Sequence, residues 1–315
     1  MKKILLAFLI IGAIIMLIAL AMVGFDLRKA EKMLSESYTV VENITSLDIE
    51  CSRFECDVIV KSTSESQTRI EFYYPEKKGV SYEVTDGTLV IKNEKNISSL
   101  LSLVDFGNSS RIIVYLPDKA YDEIKINSDT GDVRLSSLSS RNLSVEVSTG
   151  DVTINDLQVF DKITINGSTA DHELHSVTAN ALTIKNSTGD VSVENATLSS
   201  FDITTSTGEV EINDLIASSH GNIKTSSGAI EIERMTVEGT LFMKSGTGDI
   251  EFSRLDAYEI YATASTGEIE GDVLTPKNFV TETSTGKVSV PSPDTSKGIF
   301  NIKTSTGDIK IRISD

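Results

Sequence analysis

The sequence predicts an all-β chain built as a single-stranded parallel β-helix, or β-solenoid, of about ten coils. Three observations predict it. A Ser-Thr-Gly-Asp-Val phrase recurs, as in Ser148-Thr149-Gly150-Asp151-Val152 and Ser187-Thr188-Gly189-Asp190-Val191, with its turn residue at 131, 150, 170, 189, 208, 228, 248, 267, 286 and 307. Apolar, largely β-branched residues alternate on both sides of that turn: Val191 and Val193 follow Gly189, and Leu182 and Ile184 precede it. The interval of 19 to 21 residues leaves no room for a helix, so consecutive units must stack in parallel, one strand spacing apart, to bury a core. Ten coils make a rod roughly 50 Å long, and parallel crossovers favour a right-handed course.

Each position in the unit has its own chemistry. The turn residue is glycine at Gly131, Gly150, Gly189, Gly208, Gly228, Gly248, Gly267, Gly286 and Gly307, and alanine at Ala170. Glycine there accepts positive φ. The preceding column is almost all threonine, and stacked hydroxyls are expected to bond one another along the rod. The following column is mostly acidic, with Asp132, Asp151, Asp171, Asp190, Glu209, Asp249, Glu268 and Asp308. One reading makes Asp132, Asp151 and Asp190 part of a calcium-binding edge; the other makes them solvated turn residues. An apolar residue seven places after the turn, from Leu138 to Leu274, marks a third inward corner.

Four regions follow in chain order. Residues 1–24 contain an uncharged run, Ile4 to Val23, behind Lys2 and Lys3. It is long enough to span a bilayer as a transmembrane anchor, and a cleaved signal peptide is the alternative. Residues 25–39 read as a juxtamembrane stalk. Residues 40–126 are β-rich but off the period, with strands expected near Leu47–Cys51, Cys56–Lys61, Arg69–Tyr73, Val80–Val84, Thr88–Lys92 and Arg111–Leu116, and a hairpin turn at Asp86-Gly87. They read as an irregular cap, with a small separate sandwich as the alternative. Residues 127–315 form the regular solenoid. The last strand is expected to end as an open edge at Ile313, inviting edge-to-edge self-association of the C-terminal coil.

Composition narrows the function. The chain carries 46 acidic and 29 basic residues, a net charge of −17, and no tryptophan. Nucleic acid is a poor partner for such a rod. Cys51 and Cys56 flank one short turn and read either as a hairpin disulfide or as two core thiols. His172 and His175 lie with Asp171 and Glu173 in the coil whose turn is Ala170. Two histidines and two carboxylates are zinc-ligand types, but a strand would point the two imidazoles to opposite sides. No nucleophile–histidine pair or phosphate loop is present, and no coil gathers carboxylates beside a cation, so no catalytic residue and no cofactor is assigned.

The Ser-Thr-Gly-Asp-Val phrase, its period and the opening Ile44-Thr45-Ser46-Leu47-Asp48-Ile49 resemble the bacterial adhesin-like family of β-solenoid domains of unknown function, in its membrane-anchored LiaG-like type. The resemblance covers about residues 40 to 313. It implies a non-enzymatic surface or envelope-stress role at the cell membrane, with the solenoid extracytoplasmic and an envelope protein or glycan as partner. A carbohydrate-active lyase or glycosidase and a calcium-stabilised rod are the alternatives.

Overall fold

A computed structural model describes residues 33–76, 78–94 and 110–314. These residues contain no helix. They form one 20-stranded sheet wound into a β-solenoid of about ten turns. The expected membrane span at Ile4–Val23 and the first part of the stalk lie outside the described residues; among the described ones no helix is long and apolar enough to cross a membrane.

The central coils are β9 (Val133–Thr149), β10 (Val152–Thr169), β11 (His172–Thr188), β12 (Val191–Thr207), β13 (Val210–Ser227), β14 (Ile230–Thr247) and β15 (Ile250–Thr266). Each pairs in parallel with the next, one repeat further on, so Val191 lies on Val210 and Val210 on Ile230. The inward columns are buried as the alternation predicts; in β12 these are Val191, Val193, Ala196, Leu198, Phe201 and Ile203. Each fully buried aliphatic or aromatic side chain contributes about 2 kcal/mol of transfer free energy, gross of chain entropy.

A second corner lies six residues after each turn, where Ser137, Asp156, Ser176, Asn195, Asp214, Arg234 and Arg254 all have φ between 52° and 57°. Asp and Asn tolerate this left-handed geometry better than most residues. Arg234 is a poorer fit, but it is held there by its guanidinium, which donates to Asp214 of the coil below at 2.6 and 2.8 Å. Leu274 departs from the expected inward corner. The sheet skips one residue between Phe252 and Leu255, so Val273 lies on Leu255 and Leu274 is turned out, 41% exposed.

The two ends do not follow chain order. At the first, β2 (Ser46–Cys51) and β3 (Cys56–Thr63) form a coil with neighbours on both sides. One is the coil of β6 (Thr88–Glu94) and β7 (Ser110–Pro117). The other is β8 (Ala120–Thr130) with the start of β9. Outside it, β1 (Met33–Val40) and β4 (Thr68–Pro75) pair antiparallel with each other and β4 with β7, while β5 (Gly79–Thr85) makes a hairpin with β6 through Asp86-Gly87.

At the other end β16 (Ile269–Val273) stacks on β15, and the chain then climbs outward to β17 (Asn278–Thr285) and β18 (Val288–Ser289). The buried Lys277 anchors that climb, reaching Asp256 at 2.8 Å. The final segment returns inside: β19 (Ile299–Thr306) lies between β15 and β17, and β20 (Ile309–Ile313) between β16 and β18.

The last strand is therefore not the bare edge expected of it. Apolarity orders the stack. Phe300, Ile302, Ile309 and Ile311 are buried; in the outer coil Phe279 matches Phe300, but Thr281 stands opposite Ile302, and Val288, opposite Ile309, is 45% exposed. The more polar coil takes the end position, as terminal repeats generally do. The open edge is β17 and β18, with the outer side of Ile311–Ile313.

Candidate functional site

The recurring phrase is a mechanical joint. At Gly208 φ is 145°, and an added Cβ would land on the carbonyl oxygen of Gly189 in the coil below. The acidic column locks onto the same joint. Asp151 accepts the backbone N–H of Asp171 at 3.1 Å, Asp171 that of Asp190 at 2.8 Å, and Asp190 that of Glu209 at 2.8 Å. Asp249 caps Glu268 at 2.7 Å, and Asp308 caps Lys287 at 2.8 Å. Each aspartate thus satisfies a corner donor of the neighbouring coil, a role that neither the calcium nor the solvated-turn reading foresaw. Asp190→Ala is expected to lower unfolding free energy by about 1 kcal/mol and Asp190→Asn by much less, measured by urea denaturation, because only the first removes the acceptor. Calcium is expected to leave the melting temperature unchanged, since these Oδ1 atoms already bind N–H groups and no group of three metal-ligating side chains is found among the described residues.

The threonine column does not form the expected hydroxyl ladder. These residues are exposed, and among the described residues no bond joins one hydroxyl to the next. Their carbonyls instead accept from the turn glycines, as Thr207 O does from Gly189 N at 2.9 Å. The hydroxyl ladder lies three residues before the turn, inside the rod. Thr205 donates to the carbonyl of Gly189, Thr225 to Gly208, Ser245 to Gly228 and Thr304 to Gly267, at 3.0 to 3.4 Å. Sequence periodicity carries that signal as a polar residue recurring at an inward position.

The histidine coil separates its members. His172 is fully buried in the apolar column. Burial lowers its pKa to about 4, against smaller opposing effects from Asn186, Asp171 and Asp151. Its ring fills the space left by Gly167, where a Cβ would meet both the imidazole and the Asn186 amide. The Asn186 amide nitrogen donates to the Ala170 carbonyl at 2.7 Å, while Asn186 Oδ1 and both ring nitrogens lack a well-aligned hydrogen bond. His175 is exposed and meets Glu194 at 3.0 Å. Asp171 is engaged in the acidic ladder and Glu173 faces solvent. The four zinc-type residues do not converge.

Cys51 and Cys56 are free, buried thiols on either side of the Ser52–Glu55 corner. The Cys51 thiol, and then burial, hold the Cys56 thiol well above its usual pKa, so it is a poor nucleophile at neutral pH.

One open groove, with a volume of about 370 Å³, gathers charge. Glu211, Glu231, Glu251 and Glu270 lie in register along it, one strand apart, beside Asp272 and Arg312. Arg312 is there only because β20 is inserted against β16, which pairs it with Asp272, 40 positions earlier in sequence. Sequence reasoning found no carboxylates beside a cation for that reason. Burial raises the Glu251 pKa, helped by Glu231 and Glu270; burial and Glu231 raise that of Glu209. A carboxylate raised in the folded state stabilises at low pH, and this contribution is lost as pH rises from the ordinary value of about 4.3 through the folded one. Glu231→Gln is therefore expected to add about 0.5 kcal/mol at pH 7 and nothing at pH 3, compared by denaturant titration.

This geometry defines a class: a non-globular repeat rod whose regular features are structural. The sequence profile described as Toastrack DUF4097 matches residues 44–312, and the chain belongs to that family. Solved structures with a similar course include a provisionally named adhesin from Bacteroides fragilis NCTC 9343 (15% identity, TM-score 0.32, covering 90% of this chain and 98% of that one). Two others come from Parabacteroides distasonis ATCC 8503. One is a provisionally named adhesin (13% identity, TM-score 0.45, 89% and 98% covered) and the other a provisionally named lipid-binding protein (12% identity, TM-score 0.35, 89% and 97% covered). At these identities and scores none of them bears on function. A comparison with curated proteins finds no match.

Proposed function

We propose that this protein is a non-enzymatic, membrane-anchored rod of the LiaG-like type that stands outside the membrane and presents a flat face to a protein or glycan of the cell envelope. The observation that carries this reading is a polar surface over an apolar core, with the charged groove open rather than enclosed. Such a surface suits docking better than the enclosed pocket that small ligands use. Residues 1–24 serve as the anchor and the segment after them as a stalk that ends where β1 (Met33–Val40) joins the cap; the uncharged run behind Lys2 and Lys3 supports the anchor. A right-handed winding follows from the general preference of parallel crossovers. The test is a deletion strain. It is expected to lose surface binding or the envelope-stress response, and a strain normal in both sinks the proposal.

A second reading has one specific observation behind it. The groove places Glu231 and Glu251 one strand apart beside Arg312, with the Glu251 carboxyl raised above its ordinary pKa by burial and then by Glu231. That is the minimum a glycoside-cleaving site needs. Incubation with anionic and neutral polysaccharides tests it; release of reducing ends that Glu251→Gln abolishes would support catalysis, and no release removes it.

A further inference from the structure

The rod's charge is segregated by face in a way that the net value of −17 conceals. Consider the six coils that turn at Gly189, Gly208, Gly228, Gly248, Gly267 and Gly307. The positions one, three and five residues after those turns hold twelve carboxylates and two cations; the positions two, four, six and eight residues before them hold four lysines and two carboxylates. The four lysines share one column. Lys185 lies on Thr204, Thr204 on Lys224, Lys224 on Lys244, Lys244 on Thr263 and Thr263 on Lys303. At one strand spacing per step this is a straight stripe about 24 Å long, parallel to the rod axis.

Two features of the stripe call for an outside partner. Lys224 and Lys244 are directly opposite each other and exposed, and like charges so placed destabilise a sheet. Among the described residues Lys185, Lys224 and Lys244 have no ion-pair partner, while Lys303 is met by Glu282 of the end coil at 3.0 Å. Beside the lysines, Phe242 is 47% exposed and stacks on Tyr261, with centroids 5.0 Å apart and planes at 17°, so an aromatic surface lies open next to the cations.

We propose that this lysine-lined face docks a linear anionic carbohydrate polymer running along the rod, with carboxylate or phosphodiester charges. The proposal rests on the surface-scaffold reading above and names its face and ligand chemistry. Charge complementarity selects an anion. Spacing favours a sparse one: the lysines recur at one or two strand steps, wider than the ~3.4 Å per charge along one strand of duplex DNA. The rings are stacked on each other along the axis, so the faces they share are closed to nucleobases. Their edges, with Asn222 and Thr240 alongside, remain for sugar contacts.

The experiment uses the full chain in detergent micelles, with polygalacturonate and poly(ribitol phosphate) as probes, neutral dextran and duplex DNA as controls, and retention on isolated cell envelopes measured in parallel. Lysine-dependent binding to either probe supports the proposal, and the better probe identifies the anion. Lys224→Ala with Lys244→Ala is expected to weaken binding about tenfold at unchanged circular dichroism, and Phe242→Ala about threefold. Glu173→Gln with Glu194→Gln, exposed acids outside the groove, is expected to leave it equal or tighter. Polymer binding that ignores the lysine substitutions overturns the proposal while leaving the scaffold reading intact. Absence of polymer binding with envelope retention preserved does the same. Loss of both overturns the two together, and preference for DNA overturns the choice of ligand.

Discussion

Replacing His172 with valine, the residue of its column in the coils on either side, removes a stability loss of about 3 kcal/mol that the native chain suffers between pH 6.5 and 4. The folded pKa of His172 is depressed to about 4, against about 6.5 in the unfolded chain. As pH falls through that window the unfolded chain takes up a proton that the folded chain refuses, so the unfolded state gains. Above pH 6.5 the imidazole is neutral in both states and the contribution is level. Raised carboxylates such as Glu251 act in the opposite direction over an overlapping range, so the informative quantity is the difference between the two proteins. Urea midpoints from pH 4 to 7.5 should converge toward neutrality and separate progressively in acid. Parallel curves would show that His172 is not buried uncharged. Valine leaves space beside Gly167, so the neutral-pH difference is expected to be small, with apolar burial gained and a void created.

The second large effect is at the turn. Gly208→Ala is expected to cost on the order of 3 kcal/mol, because its φ of 145° lies in a region nearly closed to side chains and because the new methyl meets backbone rather than a movable side chain. The natural alanine at position 170 provides the control. Its φ is not positive, so that coil has already adopted another backbone course, one in which the Asn186 amide reaches in to bind the Ala170 carbonyl. Ala170→Gly is therefore expected to give no stabilisation. A cost at Gly208 equal to the ordinary glycine-to-alanine change in a strand would mean that the turn yields freely.

Much of the fold was readable because a 19- to 21-residue period with alternating apolar columns admits few solutions. The inward residues other than Leu274, the hairpin at Asp86-Gly87 and the six strands expected before residue 127 stand where the pattern put them, whereas Met33–Thr39, expected as stalk, belongs to β1 and pairs with β4. The acidic column was readable as a column but not as a ladder, since whether Asp190 faces water or the N–H of Glu209 depends on a distance between coils. The buried hydroxyls of Thr205 and Thr225 were not legible in the sequence, because their acceptors, the carbonyls of Gly189 and Gly208, belong to the coil below. The acidic groove was hidden for a different reason: Arg312 joins it through a strand inserted out of order.

The amino-acid sequence by itself determined the repeat, the strand class, the corner glycines and which side chains point inward, because each depends on local backbone preference and a period of two. Only the tertiary structure decided the order of the stack at its ends, the pairing of His172 with Gly167, and the charge that each face collects. Coils with one shared period can stack on one another in any order without losing register. The choice falls to the burial of Phe300, Ile302 and Ile309 over the more polar residues of β17 and β18, a comparison between segments that no single segment contains.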